Sequence, residues 1–168
     1  MCSRYSIAMK EIFPTDPAPI VIGDASIQAK FGFARWDGKG VMLNARSETL
    51  QTVSTFKHRV QIGRCVIPAS EYYEWKNKIK HAIKSTDGAP LSMAGLWRDD
   101  PENNGREFVI ITKNTFGSIA DIHGRMPVLL RPKEHEAWLN GTLSPTLLPT
   151  LEYECYAEAV VGPQLTLF

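Results

Sequence analysis

Cys2 carries the most distinctive chemistry in this sequence. Initiator methionine is removed when the next side chain is small, and cysteine is small. Removal leaves an amine and a thiol on adjacent carbons. The amine, with an ordinary pKa of about 8, is partly neutral near pH 7 and can condense with an aldehyde. The thiol can then close on the imine carbon to give a five-membered thiazolidine. The same thiol, helped by its own amine, also suits an autoprocessing or amidohydrolase nucleophile. An ordinary structural cysteine is the third reading.

Three further polar positions could serve such a nucleophile. His123 lies in a polar turn, Asp121-Ile122-His123-Gly124-Arg125, ahead of an apolar run. An imidazole there suits proton transfer near neutral pH, or it simply caps backbone carbonyls. Glu74 follows Tyr72 and Tyr73 and precedes Trp75. On a strand, residues 72 and 74 share a face, which sets Glu74 among aromatic rings. Buried there, its pKa would rise toward neutrality; on an edge it would pair with Lys or Arg. Asn44 and Arg46 sit where a strand meets a helix start. Asn44 can orient a polar group from the strand end, and Arg46 can meet a phosphate, unless both only cap the helix. Trp36, between Arg35 and Asp37, is either a stacking platform for bases or is packed under its loop. His58, His81 and His135 have no partners at metal-ligand spacing, and Cys2, Cys65 and Cys155 form no CxxC pair, so no metal or cofactor is expected.

These residues must be held by a fold that is mostly strand. Extended segments are expected at 3–8, 19–22, 29–35, 41–44, 64–68, 72–76, 79–84, 91–97, 107–113, 126–130 and 153–161. Asp87-Gly88 and Asn104-Gly105 are expected hairpin turns. Ser47 is the expected N-cap of a helix over 48–58, with Leu50, Val53 and Phe56 or Thr55 inward. A second helix is expected over 132–140, with Pro first and Asn140-Gly141 last, and a short one over 116–121. Proline-rich turns punctuate 14–19 and 145–149. Strands mixed with isolated helices, without βαβ alternation, imply an α+β domain with a mainly antiparallel sheet.

The 168 residues suit one domain with a real core, and 43% hydrophobic content excludes a disordered chain. Three cysteines make no disulfide framework. With no apolar run of membrane-spanning length and no secretory signal core, a cytosolic location is expected. Nineteen basic and 18 acidic side chains give a net charge of +1, which argues against a nucleic-acid binder at first sight. The sum hides a distribution. Residues 30–80 carry ten basic and four acidic side chains, a net +6, enough for a footprint on phosphates.

Several segments, in order, resemble the SOS-response-associated-peptidase (SRAP) family: Met1-Cys2-Ser3-Arg4-Tyr5, Asn44 through Thr49, Arg64 through Ala69, Tyr73-Glu74-Trp75-Lys76, Leu91 through Trp97, and Ile122 through Val128. The set spans residues 1 to about 140. The resemblance implies a barrel-like SRAP fold with a few peripheral helices, over residues 1–162. It also implies capture of abasic sites in single-stranded DNA as a covalent thiazolidine crosslink through Cys2. By the same match, Asn44, Glu74 and His123 are the polar catalytic residues. Arg4, Arg46 and Arg125 fall at phosphate-gripping positions, and Trp36 at a lesion-stacking one. Ser3 stands where the family usually has glycine, Gly124 where it usually has aspartate, and Glu71 where it has a small residue. The alternatives are a thiol autopeptidase or amidohydrolase using Cys2, and a non-covalent single-strand binding module.

The tail, residues 163–168, is a separate signal. Gln164-Leu165-Thr166-Leu167-Phe168 resembles the pentapeptide by which bacterial DNA proteins dock on the sliding clamp. Leu165, Leu167 and Phe168 would fill an apolar cleft while Gln164 bonds at its rim. The other reading is a strand that completes the core. A clamp-docked protein would be nucleoid-associated. Nothing in the sequence points to an obligate oligomer, so a monomer is expected.

Overall fold

The computed structural model describes residues 2–161. The clamp-like residues Gln164, Leu165, Leu167 and Phe168 lie outside them. The chain opens with β1 (Tyr5–Ile7) and β2 (Lys10–Ile12), followed by β3 (Pro17–Ile22), β4 (Ala25–Phe31), β5 (Phe33–Ala34), β6 (Val41–Met42) and β7 (Asn44–Arg46). Two single-turn helices, α1 (Ser54–Lys57) and α2 (Arg59–Ile62), lead into β8 (Arg64–Ala69), β9 (Glu71–Lys76), β10 (Ile79–Ser85), β11 (Leu91–Asp99) and β12 (Arg106–Asn114). The short β13 (Arg125–Pro127), α3 (Pro132–Leu139) and β14 (Cys155–Ala159) complete it.

Five strands close on themselves. β11 pairs with β8, β8 with β3, β3 with β4, β4 with β12, and β12 returns to β11. The ring is the barrel of an α+β domain, and its pairings are antiparallel except for β12 with β4. β7 also lies parallel on β12, so that Asn44 faces Ile110. Gly95 is required where β8, β11 and β12 crowd together. A Cβ there would run into the Ile67 side chain and sit 2.8 Å from the Val109 carbonyl and 3.0 Å from Cys65 Sγ. A second sheet, ordered β14-β10-β9-β1-β2, carries the start of the chain.

Strand periodicity divides the interior in two. Ile67, Met93, Phe108 and Ile110 point to a core shared with Cys2, which precedes β1, and with Tyr5, Ile12, Tyr72 and Ile83 of the second sheet. Their sequence neighbours Val66, Ala94, Val109 and Ile111 point the other way, to Phe56, Val60, Leu130 and Trp138. The domain thus has two layers of packing around one ring of strands.

Several elements differ from expectation. The helix over 48–58 is broken: a 3-10 turn covers Ser47–Thr49, Val53 is extended (φ −72°, ψ 123°), and helix resumes only at Ser54. The Thr52 hydroxyl bonds the Thr49 carbonyl at 3.2 Å, and β-branched Val53 follows, so local bonds and stiff side chains compete with the helix. Ser47 is not the N-cap, and Val53 is exposed rather than inward. The segment 116–121 forms a 3-10 turn, Gly117–Asp121. The segment 14–19 is not only a turn, because Pro17 and Pro19 lie within β3. At both residues β3 pairs only with β4, since its contact with β8 is made at Val21. That leaves a free edge where a missing N–H costs no ladder bond. Asp87-Gly88 joins β10 to β11 across the two sheets rather than closing a hairpin, whereas Asn104-Gly105 does lie in the β11–β12 hairpin. The β1–β2 hairpin was not foreseen, because its turn residues are Ala8 and Met9, both at positive φ (47° and 67°).

Candidate active site

Four segments far apart in sequence bring Cys2, Asn44, Glu74 and His123 together. Cys2 precedes β1 and is fully buried, in the core cluster of Tyr5, Tyr72, Ile119 and Met126. Its Sγ lies 3.9 Å from the Arg4 carbonyl oxygen, to which the thiol donates. Burial, and then the nearby Glu74 carboxylate, push the thiol well above its usual range, so the sulfur is held protonated.

Asn44 opens β7 and is fixed by the parallel ladder to β12. Its Nδ2 donates to the Cys2 carbonyl at 2.9 Å. Its Oδ1 is buried with no hydrogen-bond partner among the described residues. The amide therefore holds the backbone of Cys2 itself and keeps an acceptor in reserve.

Glu74 lies on β9, where the strand alternation puts it on the inner face with Tyr72. It is only 3% exposed, so the reading of an edge carboxylate does not hold. Burial raises its carboxyl pKa, and the His123 imidazole opposes the shift. His123 Nδ1 is 3.9 Å from Glu74 Oε1. The ring is steered by its own loop: the Arg125 N–H donates to Nδ1 at 3.0 Å, and the Arg125 carbonyl lies at the same distance. The Thr115 hydroxyl fixes the backbone by donating to the His123 carbonyl at 2.6 Å. A carboxyl raised in pKa beside an imidazole is an arrangement for moving protons at a buried sulfur.

The four residues assigned to DNA have different surroundings. Trp36 is 97% exposed at the tip between β5 and β6, so it is not packed under its loop. The loop's base is anchored by the fully buried Glu107, which accepts from the Ala34 N–H at 3.1 Å, while Arg98 Nη2 donates to the Ala34 carbonyl at 2.7 Å. Lys30 and Arg98 neutralise Glu107 at 3.0 and 2.8 Å. Arg46 is exposed at the end of β7. Arg4 stacks its guanidinium on Phe13 (4.5 Å) and Trp75 (5.0 Å) and lies 3.6 Å from Glu11. Arg125 is turned inward. It grips Glu48 through two bonds of 2.7 and 2.9 Å, Asn114 at 2.7 Å and the Thr112 carbonyl at 2.7 Å. The guanidinium holds the Glu48 carboxyl down, to a pKa of about 2. Arg125 thereby ties the segment after β7 to β12 and β13 and supports the His123 loop.

Sequence reasoning did not foresee Phe13 as a wall for Arg4 or Glu48 as the anchor of Arg125. Both contacts depend on tertiary packing that leaves no local pattern. Among the described residues no group of three His, Cys, Asp or Glu side chains is placed to hold a metal ion, and no helix is long and apolar enough to cross a membrane.

Known proteins share this chain's sequence pattern and fold. Residues 3–160 match the family described as SOS response associated peptidase (SRAP). The chain is 38% identical over 107 residues to the abasic site processing protein YoqW of Bacillus subtilis, covering 59% of this chain and 48% of the relative. It is 34% identical over 116 residues to the abasic site processing protein YedK of Escherichia coli, covering 65% and 52%. It is 29% identical over 133 residues to the abasic site processing protein HMCES of Gallus gallus, covering 61% and 39%. The chain thus spans about half the length, or less, of these curated relatives. A crystal structure from Bordetella bronchiseptica shares the fold at a TM-score of 0.80 and 23% identity, covering 95% of this chain and 100% of the other.

Proposed function

The chain belongs to the SOS response associated peptidase (SRAP) family, and on that premise we propose that it captures abasic sites in single-stranded DNA through Cys2 once Met1 is removed. The observation that carries this reading is the convergence of a buried thiol, a raised-pKa carboxyl and an imidazole on one residue that can become the chain's amine. The relatives' shared description as abasic site processing proteins supports the substrate class.

The chemistry balances without a cofactor. A ring-opened abasic deoxyribose presents an aldehyde. The Cys2 amine attacks it, and the carbinolamine loses water to give an imine. The Cys2 sulfur then bonds to the imine carbon, its proton ends on the nitrogen, and a thiazolidine remains. Asn44 orients Cys2 through its carbonyl. Glu74 moves the proton during ring opening and dehydration, and His123 assists at the sugar oxygens. Arg4, Arg46 and Trp36 contact the strand, the first two at phosphates and the last by stacking. Arg125 contributes through the site's architecture, and its grip on phosphate requires loosening of Glu48.

Residues 1–162 form the crosslinking domain in this reading. Residues 163–168 form a separate clamp-docking tail, which would keep a monomeric protein near the nucleoid and replication forks. Deleting residues 164–168 should abolish clamp pull-down and leave crosslinking intact. If the deletion leaves clamp capture unchanged, the tail assignment fails.

The central test uses untagged protein, abasic-site single-stranded DNA and a denaturing gel. A heat-stable shifted band that vanishes in Cys2→Ala is the expected result. Absence of the band with Met1 removal verified by mass would overturn the reading. Cys2-dependent cleavage of a peptide substrate would favour the hydrolase instead, and binding of intact DNA without covalent product would favour a non-covalent module.

A further inference from the structure

Phe13 has no part in the scheme above, yet the fold sets it against a residue that does. Tyr5 on β1 pairs with Ile12 on β2 and with Tyr72 on β9, and all three are buried. One step along each strand the side chains turn the other way. Arg4, Phe13 and Trp75 therefore share the outer face of the second sheet, away from the core that encloses Cys2. β1 lies between β2 and β9, so the two rings reach Arg4 from its two flanks. The guanidinium carbon is 4.5 Å from the centre of the Phe13 ring and 5.0 Å from that of Trp75. The Tyr73 N–H donates to the Arg4 carbonyl at 3.0 Å, which fixes the backbone of Arg4 beside β9. Phe13 is 42% exposed, so its ring is only partly spent on packing.

The charges around it leave Arg4 available. Glu11 lies 3.6 Å from Arg4 Nη1, outside ordinary hydrogen-bond distance. Both Glu11 oxygens are instead held by Lys80 Nζ, at 2.8 and 2.9 Å. Lys80 in turn sits 3.7 Å above the Tyr73 ring. One carboxylate thus answers two cations, and the group keeps a positive charge at the surface. The rings hold the guanidinium without neutralising it.

We propose that Phe13 is a positioning residue for DNA binding, its ring holding the Arg4 guanidinium in place for a phosphate of the single strand. A long side chain free in solvent loses its freedom when it grips a ligand, and that loss weakens binding. A guanidinium already laid against rings has lost it beforehand. The device suits arginine in particular, whose planar, weakly hydrated group stacks on aromatic faces while its N–H rim stays free for phosphate. Because Arg4 points away from Cys2, the effect belongs to holding the strand and not to the chemical step.

The inference rests on the proposed contact of Arg4 with DNA, and its test separates that contact from capture by Cys2. Binding of an intact single strand, with no abasic site, is titrated by fluorescence anisotropy. The variants are Phe13→Leu, Phe13→Tyr, Arg4→Met, and Phe13→Leu combined with Arg4→Met; melting checks that each folds. Phe13→Leu keeps apolar bulk but removes the aromatic face. It should weaken binding about two- to tenfold, the scale of ordering one long side chain. Phe13→Tyr should bind as wild type does. On the Arg4→Met background, Phe13→Leu should have no further effect, because the group it positions is gone. Wild-type affinity in Phe13→Leu, failure of Phe13→Tyr to restore binding, or equal losses on both backgrounds would overturn the proposal. Crosslinking of abasic-site DNA is measured in parallel. There the Phe13→Leu loss should appear in the DNA concentration giving half the maximal rate, and a loss confined to the rate at saturation would count against it. If wild type binds the intact strand but never crosslinks, capture by Cys2 fails and the titrations still judge Phe13. If wild type does not bind the strand, the role of Phe13 falls with that of Arg4.

Discussion

Asn44 reaches Cys2 through its backbone: its Nδ2 lies 2.9 Å from the carbonyl oxygen of Cys2, across 42 residues of sequence. The bond fixes the peptide that joins Cys2 to Ser3, and so the rotation about which amine and sulfur are presented. Asn44→Ala should lower the single-turnover crosslinking rate by about tenfold to a hundredfold, the range for loss of one orienting contact. The melting temperature should move little, because one neutral hydrogen bond contributes about 1 kcal/mol. A rate within twofold of wild type would refute the orienting role.

Glu74 makes the stability of the fold depend on pH. Its folded-state pKa is raised by burial, so the native state holds a proton that the unfolded state has released at the same pH. Stability must then fall as pH rises from the ordinary carboxylate range through the raised value. Glu74→Gln removes this loss. The variant should melt higher than wild type at pH 8, and the gap should close toward pH 4. The crosslinking rate of Glu74→Gln should fall and lose one limb of its pH profile. Chemical denaturation at both pH values, with a rate profile, checks both statements.

The Glu48–Arg125 pair runs the other way. The guanidinium lowers the Glu48 pKa to about 2. Its stabilisation is complete above the unfolded carboxylate value and is lost as pH falls toward about 2. Glu48 is about a third exposed, so solvent screens part of the attraction. Arg125→Met, which also frees the Thr112 carbonyl, should cost about 1–3 kcal/mol. Crosslinking should fall as well, through disorder of the His123 loop. A double-mutant cycle with Glu48→Gln measures the pair.

Trp36 and Glu107 test the reach of the loop between β5 and β6. Trp36→Ala should leave melting unchanged, since the ring is 97% exposed. It should weaken single-strand binding by about 1–3 kcal/mol, the worth of one stacked base. Glu107→Ala should be costlier to the fold, about 1–3 kcal/mol, because it leaves Arg98 and the Ala34 N–H without their buried acceptor, while Lys30 keeps Asp100 at 3.0 Å. Equal effects of the two substitutions on stability would contradict the division of roles.

The α+β class, most strands and the proline-started helix were legible in the sequence, because alternation and turn chemistry are local signals. The helix over 48–58 was not: Leu50 and Phe56 do face inward, but Thr52 and the exposed Val53 break the backbone pattern. The β1–β2 hairpin was hidden because Ala8 and Met9 carry a turn that usually takes glycine or asparagine. Ring closure left no local pattern and was expected only from the family resemblance to a barrel-like fold; it is made by the parallel seating of β4 on β12. At the site, Cys2, Asn44, Glu74 and His123 were named from residue type and family resemblance. The inward turn of Arg125 was invisible, because its partner Glu48 lies 77 residues away.

The scatter of the site along the chain governs when it can exist. β12 must accept β4, β7, β11 and β13 before Asn44 and His123 are fixed, and β1 must find β9, more than sixty residues on, before Cys2 is seated. Such distant pairings form late and slowly in folding. A chain still emerging from the ribosome has no assembled site around Cys2. If Cys2 captures aldehydes as proposed, reactivity beyond that of a free aminothiol arrives only with the finished ring, and crosslinking rate becomes a kinetic reporter of the last folding step.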